Sequence, residues 1–154
     1  MPDDHADRRA LLAARLRRAA EGGGELRRAP LSLAQQRLWF VEQMAPGGSA
    51  YTISSALRLE GALDVPRLSA ALTRIRARHP SLRTRFEDEG GAPLQAIDPP
   101  QPLELARADA ADPDALEATL AGFAAEPFDL SAGPLVRCLL VRLAPETHVL
   151  ALAA

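Results

Sequence analysis

The order of apolar and polar positions divides the chain into alternating helices and strands. Residues 7 to 20, DRRALLAARLRRAA, are strong helix formers, and the three glycines of EGGGE end that segment. In LSLAQQRLWFVEQM, Ser32 stands three positions before Gln35 at the head of an apolar-periodic run, the spacing of a capping box, and APGGS predicts the helix end near Met44. Leu31, Leu33, Leu38, Trp39 and Val41 give this helix its apolar surface, and Trp39 and Phe40 read as core aromatics. YTISSALRL, residues 51 to 59, alternates as a strand stopped by Gly61. LDVPRLSAALTRIRARHP then opens with Asp64 as N-cap and Pro66 in the first turn. Leu68, Leu72, Ile75 and His79 share one face of this second helix, and Arg67, Arg74 and Arg78 share another.

Pro80 stops that helix, and the proline pushes His79 toward extended backbone. LRTRF predicts a short strand with Leu82, Thr84 and Phe86 on one side and Arg83 and Arg85 on the other. EDEGGAP is a hairpin-like connection to a strand at PLQAI, and a short strand is expected at LELA. DPDALEATLAGFAAEPF is a third helix opened by an Asp cap and a proline. FDLSAGP is a turn, and LVRCLLVRL and THVLALAA form two Val- and Leu-rich strands joined by a tight loop inside a sheet.

Charge narrows the function classes. All 18 basic residues are arginine, and against 20 acidic residues the formal net charge is -2, so no global positive field draws in nucleic acid or an anionic membrane. The single cysteine, Cys138, allows no internal disulfide. With no signal peptide and no apolar run long enough to span a bilayer, a reducing cytoplasm is the default location.

The arginine-rich stretch RHPSLRTRF divides between two elements. Arg74 and Arg78 read as a solvated helix face, whereas Arg83, on a strand covered on both sides, needs a carboxylate partner or a channel beside it. No residue is arranged for acid-base chemistry. His79 reads as a core or helix-end histidine and His148 as a surface strand residue, while Cys138 lies in an apolar strand that makes its thiol inert. No metal ligand set is read from the sequence.

Four ordered segments resemble the condensation domains of nonribosomal peptide synthetases. LSLAQQRLWF is similar to the family's first motif, through Ser32, Gln35, Arg37 and Trp39. RHPSLRTRF is similar to the second, through His79, Leu82, Arg83, Thr84 and Phe86. SAYTISSALRLEGALDVPRLSAAL resembles the usual linking strand and helix, and EPFDLSAGPLVRCLLVRL, with Phe128 and Asp129, resembles a later Phe-Asp-Leu, Gly-Pro-Leu segment. The likeness covers residues 30 to 154, which leaves 1 to 29 as a helical leader or docking element.

The resemblance implies an α+β fold of the chloramphenicol-acetyltransferase-like, two-layer sandwich type, here an incomplete N-terminal lobe. It implies an acyltransferase in which two lobes form a tunnel and an amide bond joins an acyl or peptidyl thioester to an aminoacyl thioester. It further implies that no cofactor is bound directly, the substrates arriving on phosphopantetheine arms of partner carrier domains beside other synthetase domains. Arg37, His79, Arg83 and Thr84 then support the motifs and tunnel, Arg83 pairing with a carboxylate and Arg85 lying more exposed. Ser32, Gln35, Trp39, Leu82, Phe86, Phe128 and Asp129 are structural motif positions. The family's catalytic His-His-x-x-x-Asp-Gly motif follows a strand like HVLALAA and does not occur in these residues. The expectation is therefore a fragment, inactive alone, cut before its catalytic motif. Alternatives are an epimerisation, cyclisation or starter-acyl relative, or a noncatalytic docking module. For Arg37 the residues leave a surface charge and a buried pair both open.

Overall fold

The computed structural model describes residues 26–49 and 51–154. The expected helix at 7 to 20 lies outside the described residues. Strand β1 (Arg27–Pro30) leads into helix α1 (Leu33–Met44), strand β2 (Ser54–Glu60) and helix α2 (Val65–Arg78). A 3-10 turn (Pro80–Arg83) precedes β3 (Thr84–Glu89) and β4 (Ala92–Ile97), followed by β5 (Leu105–Asp109), α3 (Pro113–Ala125), β6 (Arg137–Ala144) and β7 (Thr147–Ala153). The three helix starts carry the caps read from the sequence: Ser32 with Gln35, then Asp64 and Asp112, each Asp accepting an N–H three residues on.

The strands form two sheets. In the smaller, β4 lies between β1 and β3, all antiparallel, so Arg27 to Ala29 are paired into the sheet although the sequence places them with the leader. Gly90 and Gly91 take φ of 66° and 88° at the tip of the β3–β4 hairpin, a two-residue turn that side chains with a Cβ adopt poorly. In the larger sheet the order is β2-β7-β6-β5. Its one parallel pair, β5 with β6, is bridged by α3, as a parallel connection requires.

β6 and β7 are central in that sheet and buried on both faces, hence their continuous apolar sequence. Leu139, Val141, Val149 and Ala151 pack toward Leu116, Leu120 and Phe123 of α3. Val136, Cys138 and Leu103 cluster with Leu72 of α2 and with Leu82, Leu105 and Leu152. Burial holds the Cys138 thiol above its ordinary range, because a thiolate loses its hydration there.

Several local expectations are corrected. LRTRF is not a strand throughout: Pro80 opens a 3-10 turn that runs through Leu82 and Arg83, and the strand begins at Thr84, whose hydroxyl closes the turn by donating to the Pro80 carbonyl at 2.9 Å. The strand at 51 to 59 starts later, at Ser54, since Thr52 turns back to donate to Ser49. Leu103 donates its N–H to Thr73 of α2 at 3.1 Å, which delays the strand expected at LELA to Leu105.

Burial also departs from the helical faces read in the sequence. Leu31 is buried, but α1 turns Leu33, Phe40 and Met44 outward, so Phe40 is not a core residue, and Trp39 is half-buried. On α2, Leu68 and Leu72 are half-buried as expected, yet Ile75 and His79 are exposed and Arg76 is buried. Arg76 reaches the Pro102 carbonyl at 3.0 Å, a donor–acceptor pairing that lets a guanidinium sit among apolar groups. His148, expected at the surface, is 7% exposed. It stands second in β7, a strand flanked on both sides, opposite Leu59 and Arg142.

Candidate functional site

The three motif segments meet at the end of β7. Ser32 and Gln35 hold each other reciprocally, the Ser32 N–H donating to Gln35 Oε1 at 2.8 Å and the Gln35 N–H to Ser32 Oγ at 3.2 Å. Gln35 Nε2 then donates to Gln95 Oε1 at 3.4 Å, and Gln95 Nε2 to the Pro30 carbonyl at 2.9 Å, which ties α1 to β1 and β4. This fixes the angle of α1 so that Trp39 lies 6.3 Å from the Phe86 ring, centroid to centroid, at a tilt of 50°. The Phe86 N–H, on the open side of β3, donates to the Leu130 carbonyl at 2.8 Å and draws the Phe-Asp-Leu segment alongside. The result is an apolar cavity of about 160 Å³ lined by Trp39, Phe86, Phe128, Leu130 and Leu135, with Ala154 at its edge.

Asp129 shapes the loop behind that cavity. Its Oδ1 accepts the Ser131 hydroxyl at 2.6 Å and the N–H groups of Ser131 and Ala132 at 2.8 and 2.9 Å. The Ser131 hydroxyl, then the two N–H groups, hold the Asp129 carboxyl below the usual carboxylate range. A carboxyl with a depressed folded value contributes stability above its unfolded value and loses it as pH falls through the folded one. The stability advantage of the native chain over Asp129→Asn is therefore expected to be constant near neutrality and to shrink below about pH 4, measured as denaturation midpoints across pH. An advantage that grows on acidification contradicts this account of the loop.

Arg137 fastens the same loop from below. Its guanidinium stacks 4.1 Å over the Phe128 ring and 5.3 Å from the Phe123 ring, and donates to the carbonyls of Phe123 at 2.9 Å and of Glu126. It thereby satisfies carbonyls at the C-terminus of α3 while presenting Phe128 to the cavity. Sequence reasoning missed Arg137. The signal was present as an arginine inside an apolar strand, a charge that has to find partners.

The arginines of the second motif are placed differently from the expectation. Arg83 donates to the backbone carbonyl of Asp98 and has no carboxylate partner among the described residues. The carboxylates go to Arg85, whose guanidinium lies 2.8 Å from Glu87 and 3.2 Å from Asp98, with Ser131 O at 3.3 Å. The 3-10 turn rotates Arg83 out of the strand's alternation, leaving Arg85 on the side where acidic residues cluster. Arg85 is half-buried, its side chain 22% accessible, and Arg83 is half-buried as well. Gly133, at φ 59°, lets the loop turn beside this arginine, a left-handed conformation that residues with a Cβ adopt poorly.

Arg37 is exposed on α1, and His79 caps the C-terminus of α2 through its backbone N–H to Ile75 O at 3.0 Å. Thr84 is buried and structural, and Leu82 packs into the cluster around Cys138. The cavity is walled mainly by apolar side chains, with Glu42 and Tyr51 among its lining and no histidine or cysteine, so it can accept an apolar group. Among the described residues no cluster of metal ligands occurs and no helix is long and apolar enough to cross a membrane.

A family model described as condensation domain matches residues 25–154. The chain belongs to the condensation-domain family. It is 44% identical over 126 residues to a linear gramicidin synthase of Brevibacillus parabrevis, a match covering 78% of this chain and 2% of that protein. It is 41% identical over 157 residues to phosphinothricin tripeptide synthetase PhsC of Streptomyces viridochromogenes, covering 92% of this chain and 14% of the relative. The X-domain from teicoplanin biosynthesis, solved in complex with OxyB, superposes with a TM-score of 0.75 at 36% identity, covering 82% of this chain and 28% of that one. The chain thus spans a small part of the synthetases it matches and less than a third of that solved chain. Its paired sheets and flanking helices are the α+β, chloramphenicol-acetyltransferase-like arrangement of the solved condensation domains from the rhizomide and CDA synthetases.

Proposed function

We propose that these residues form the first part of a condensation domain that joins an acyl or peptidyl thioester to an aminoacyl thioester through an amide bond. The observation that carries this reading is the convergence of Gln35 and Trp39, Phe86, and Phe128 and Leu130 on the end of β7, next to Ala154. The family's catalytic motif follows such a strand, so the first two motifs and the Phe-Asp-Leu segment frame the place from which its histidine would act. On this reading both substrates come on phosphopantetheine arms of carrier domains, and Arg37, His79, Arg83 and Thr84 support the frame rather than the chemistry. Ser32, Gln35, Trp39, Leu82, Phe86, Phe128 and Asp129 build it.

Amide formation also needs a group of suitable pKa within reach of the amine proton. The three histidines, His5, His79 and His148, include no adjacent pair. The 154-residue chain mixed with aminoacyl- and peptidyl-loaded carriers is therefore expected to give no amide above a no-protein control. An intact synthetase containing these residues is expected to give it. Product from the short chain, read by mass spectrometry of the carrier-bound thioesters, overturns the expectation that these residues are inactive alone.

A second reading is favoured by the similarity to the X-domain solved with OxyB: a surface that docks a partner enzyme. A synthetase in which this domain binds a partner protein but forms no amide from loaded carriers supports that reading instead.

A further inference from the structure

At the opposite end of the large sheet lies a cleft that the acyl-transfer reading leaves unused. Its volume is about 420 Å³, and its charged and polar lining comes from Arg107 and Asp109 of β5, Arg142 of β6 and His148 of β7. Strand register brings these groups together: Asp109 lies opposite Arg142, Arg142 lies opposite His148, and Arg107 is two residues before Asp109 on the same side of β5. The one carboxylate in this set is already engaged, since Arg142 Nε donates to Asp109 Oδ1 at 2.7 Å. That bond leaves the Nη atoms of Arg142 for another acceptor. Arg107 is exposed and forms no ion pair among the described residues.

The decisive feature is His148. It is 7% exposed, and its Nδ1 is enclosed with no hydrogen-bond partner among the described residues. An imidazole offers an N–H donor, and an oxygen acceptor seated in the cleft gives this enclosed ring a partner. Asp64, near the cleft wall formed by Leu63 and Val65, is turned to its own helix, where it accepts the Arg67 N–H and pairs with Arg67 Nε at 3.0 Å. Arg107, Arg142 and His148 from three adjacent strands thus line one space, where Asp109 is paired with Arg142 and Asp64 with Arg67.

We propose that this cleft binds a small oxyanion, a phosphate or carboxylate group, held by Arg107, Arg142 and His148. Guanidinium groups meet such oxygens with paired N–H donors, and the imidazole supplies the third direction. The site is separate from the motif cavity and does not depend on the amide-forming reading.

The test is a titration of the 154-residue chain with potassium phosphate at constant ionic strength, followed by backbone and histidine side-chain NMR. Signals of Arg107, Arg142 and His148 are expected to move along one saturating curve, with a dissociation constant on the order of millimolar. Arg107→Ala, at an exposed position, is expected to weaken that binding about tenfold, as loss of one charge-assisted hydrogen bond does, while Arg74→Ala leaves it unchanged. Acetate titrated in the same way separates the two ligand classes: saturation by phosphate alone assigns a phosphate group, and saturation by acetate as well assigns oxyanions in general. Shifts that rise linearly and equally at Arg67, Arg74 and Arg78 overturn the proposal as simple salt response, and so does an Arg107→Ala chain that binds phosphate as tightly as the native one.

Discussion

Replacing Arg137 with alanine is expected to cost the fold about 3 kcal/mol, the sum of charge-assisted hydrogen bonds and a stacked cation. The guanidinium lies over Phe128 at 4.1 Å and binds the Phe123 carbonyl at 2.9 Å, with the Glu126 and Pro127 carbonyls beside it. Without it, the end of α3 keeps carbonyls that only water can reach, and Phe128 loses the group that holds its ring against the cavity. Arg137→Lys keeps the charge but not the planar fork, so about half of the loss is expected to remain. Urea denaturation of the three chains measures this. If alanine is tolerated within about 0.5 kcal/mol, the range of ordinary surface changes, the clamp has no energetic role.

The second large effect is expected at Arg85. Its side chain is 22% exposed and lies between Glu87 and Asp98. Arg85→Ala takes the guanidinium from Asp98 and one of two from Glu87, which keeps Arg28 at 2.7 Å, and a cost of about 2 kcal/mol is expected, between the values for surface and buried pairs. Arg83→Ala removes one bond to the Asp98 carbonyl and is expected to cost about 1 kcal/mol. Arg78→Ala, on the exposed face of α2, is expected to stay within about 0.5 kcal/mol. Denaturation midpoints of the three variants give the order directly, and an Arg78 variant more damaged than the Arg85 variant refutes the division of this stretch into a solvated helix face and a paired strand.

Much of the architecture was legible because it depends on local signals. Ser32 with Gln35, Asp64 with Pro66, and Asp112 with Pro113 each set a helix start through side-chain oxygens acting three residues away. The Gly90-Gly91 turn and the apolar runs of β6 and β7 were equally plain. Burial was less so, since it depends on which neighbours arrive. His148 looked like a surface residue in sequence because it lies near the start of its strand, yet between β2 and β6 it is buried. Arg76 looked like one more helix arginine until the Pro102 carbonyl accepted it. The exchange of roles between Arg83 and Arg85 came from a 3-10 turn that the period-two reading of LRTRF does not encode. At the site, the individual motif residues were legible, but their meeting around one cavity rests on the Phe86–Leu130 and Gln35–Gln95 hydrogen bonds, which join distant parts of the chain.

The order of strands in the large sheet bears on how a ribosome delivers this protein. Among the described residues, edge strand β2 pairs with β7 alone, Ser54 opposite Ala153 and Glu60 opposite Thr147. At ordinary elongation rates the nascent chain carries β2 for on the order of ten seconds before β7 leaves the exit tunnel. Throughout that interval Leu57 and Leu59 belong to a strand without a ladder, open to pairing with a neighbouring nascent chain on the same polysome. The smaller sheet has no such delay between β3 and β4, which close as a hairpin as soon as they are made. Slow translation between β2 and β7 thus lengthens the exposure of one edge while leaving the other protected, and codon choice over residues 61 to 146 becomes a determinant of yield.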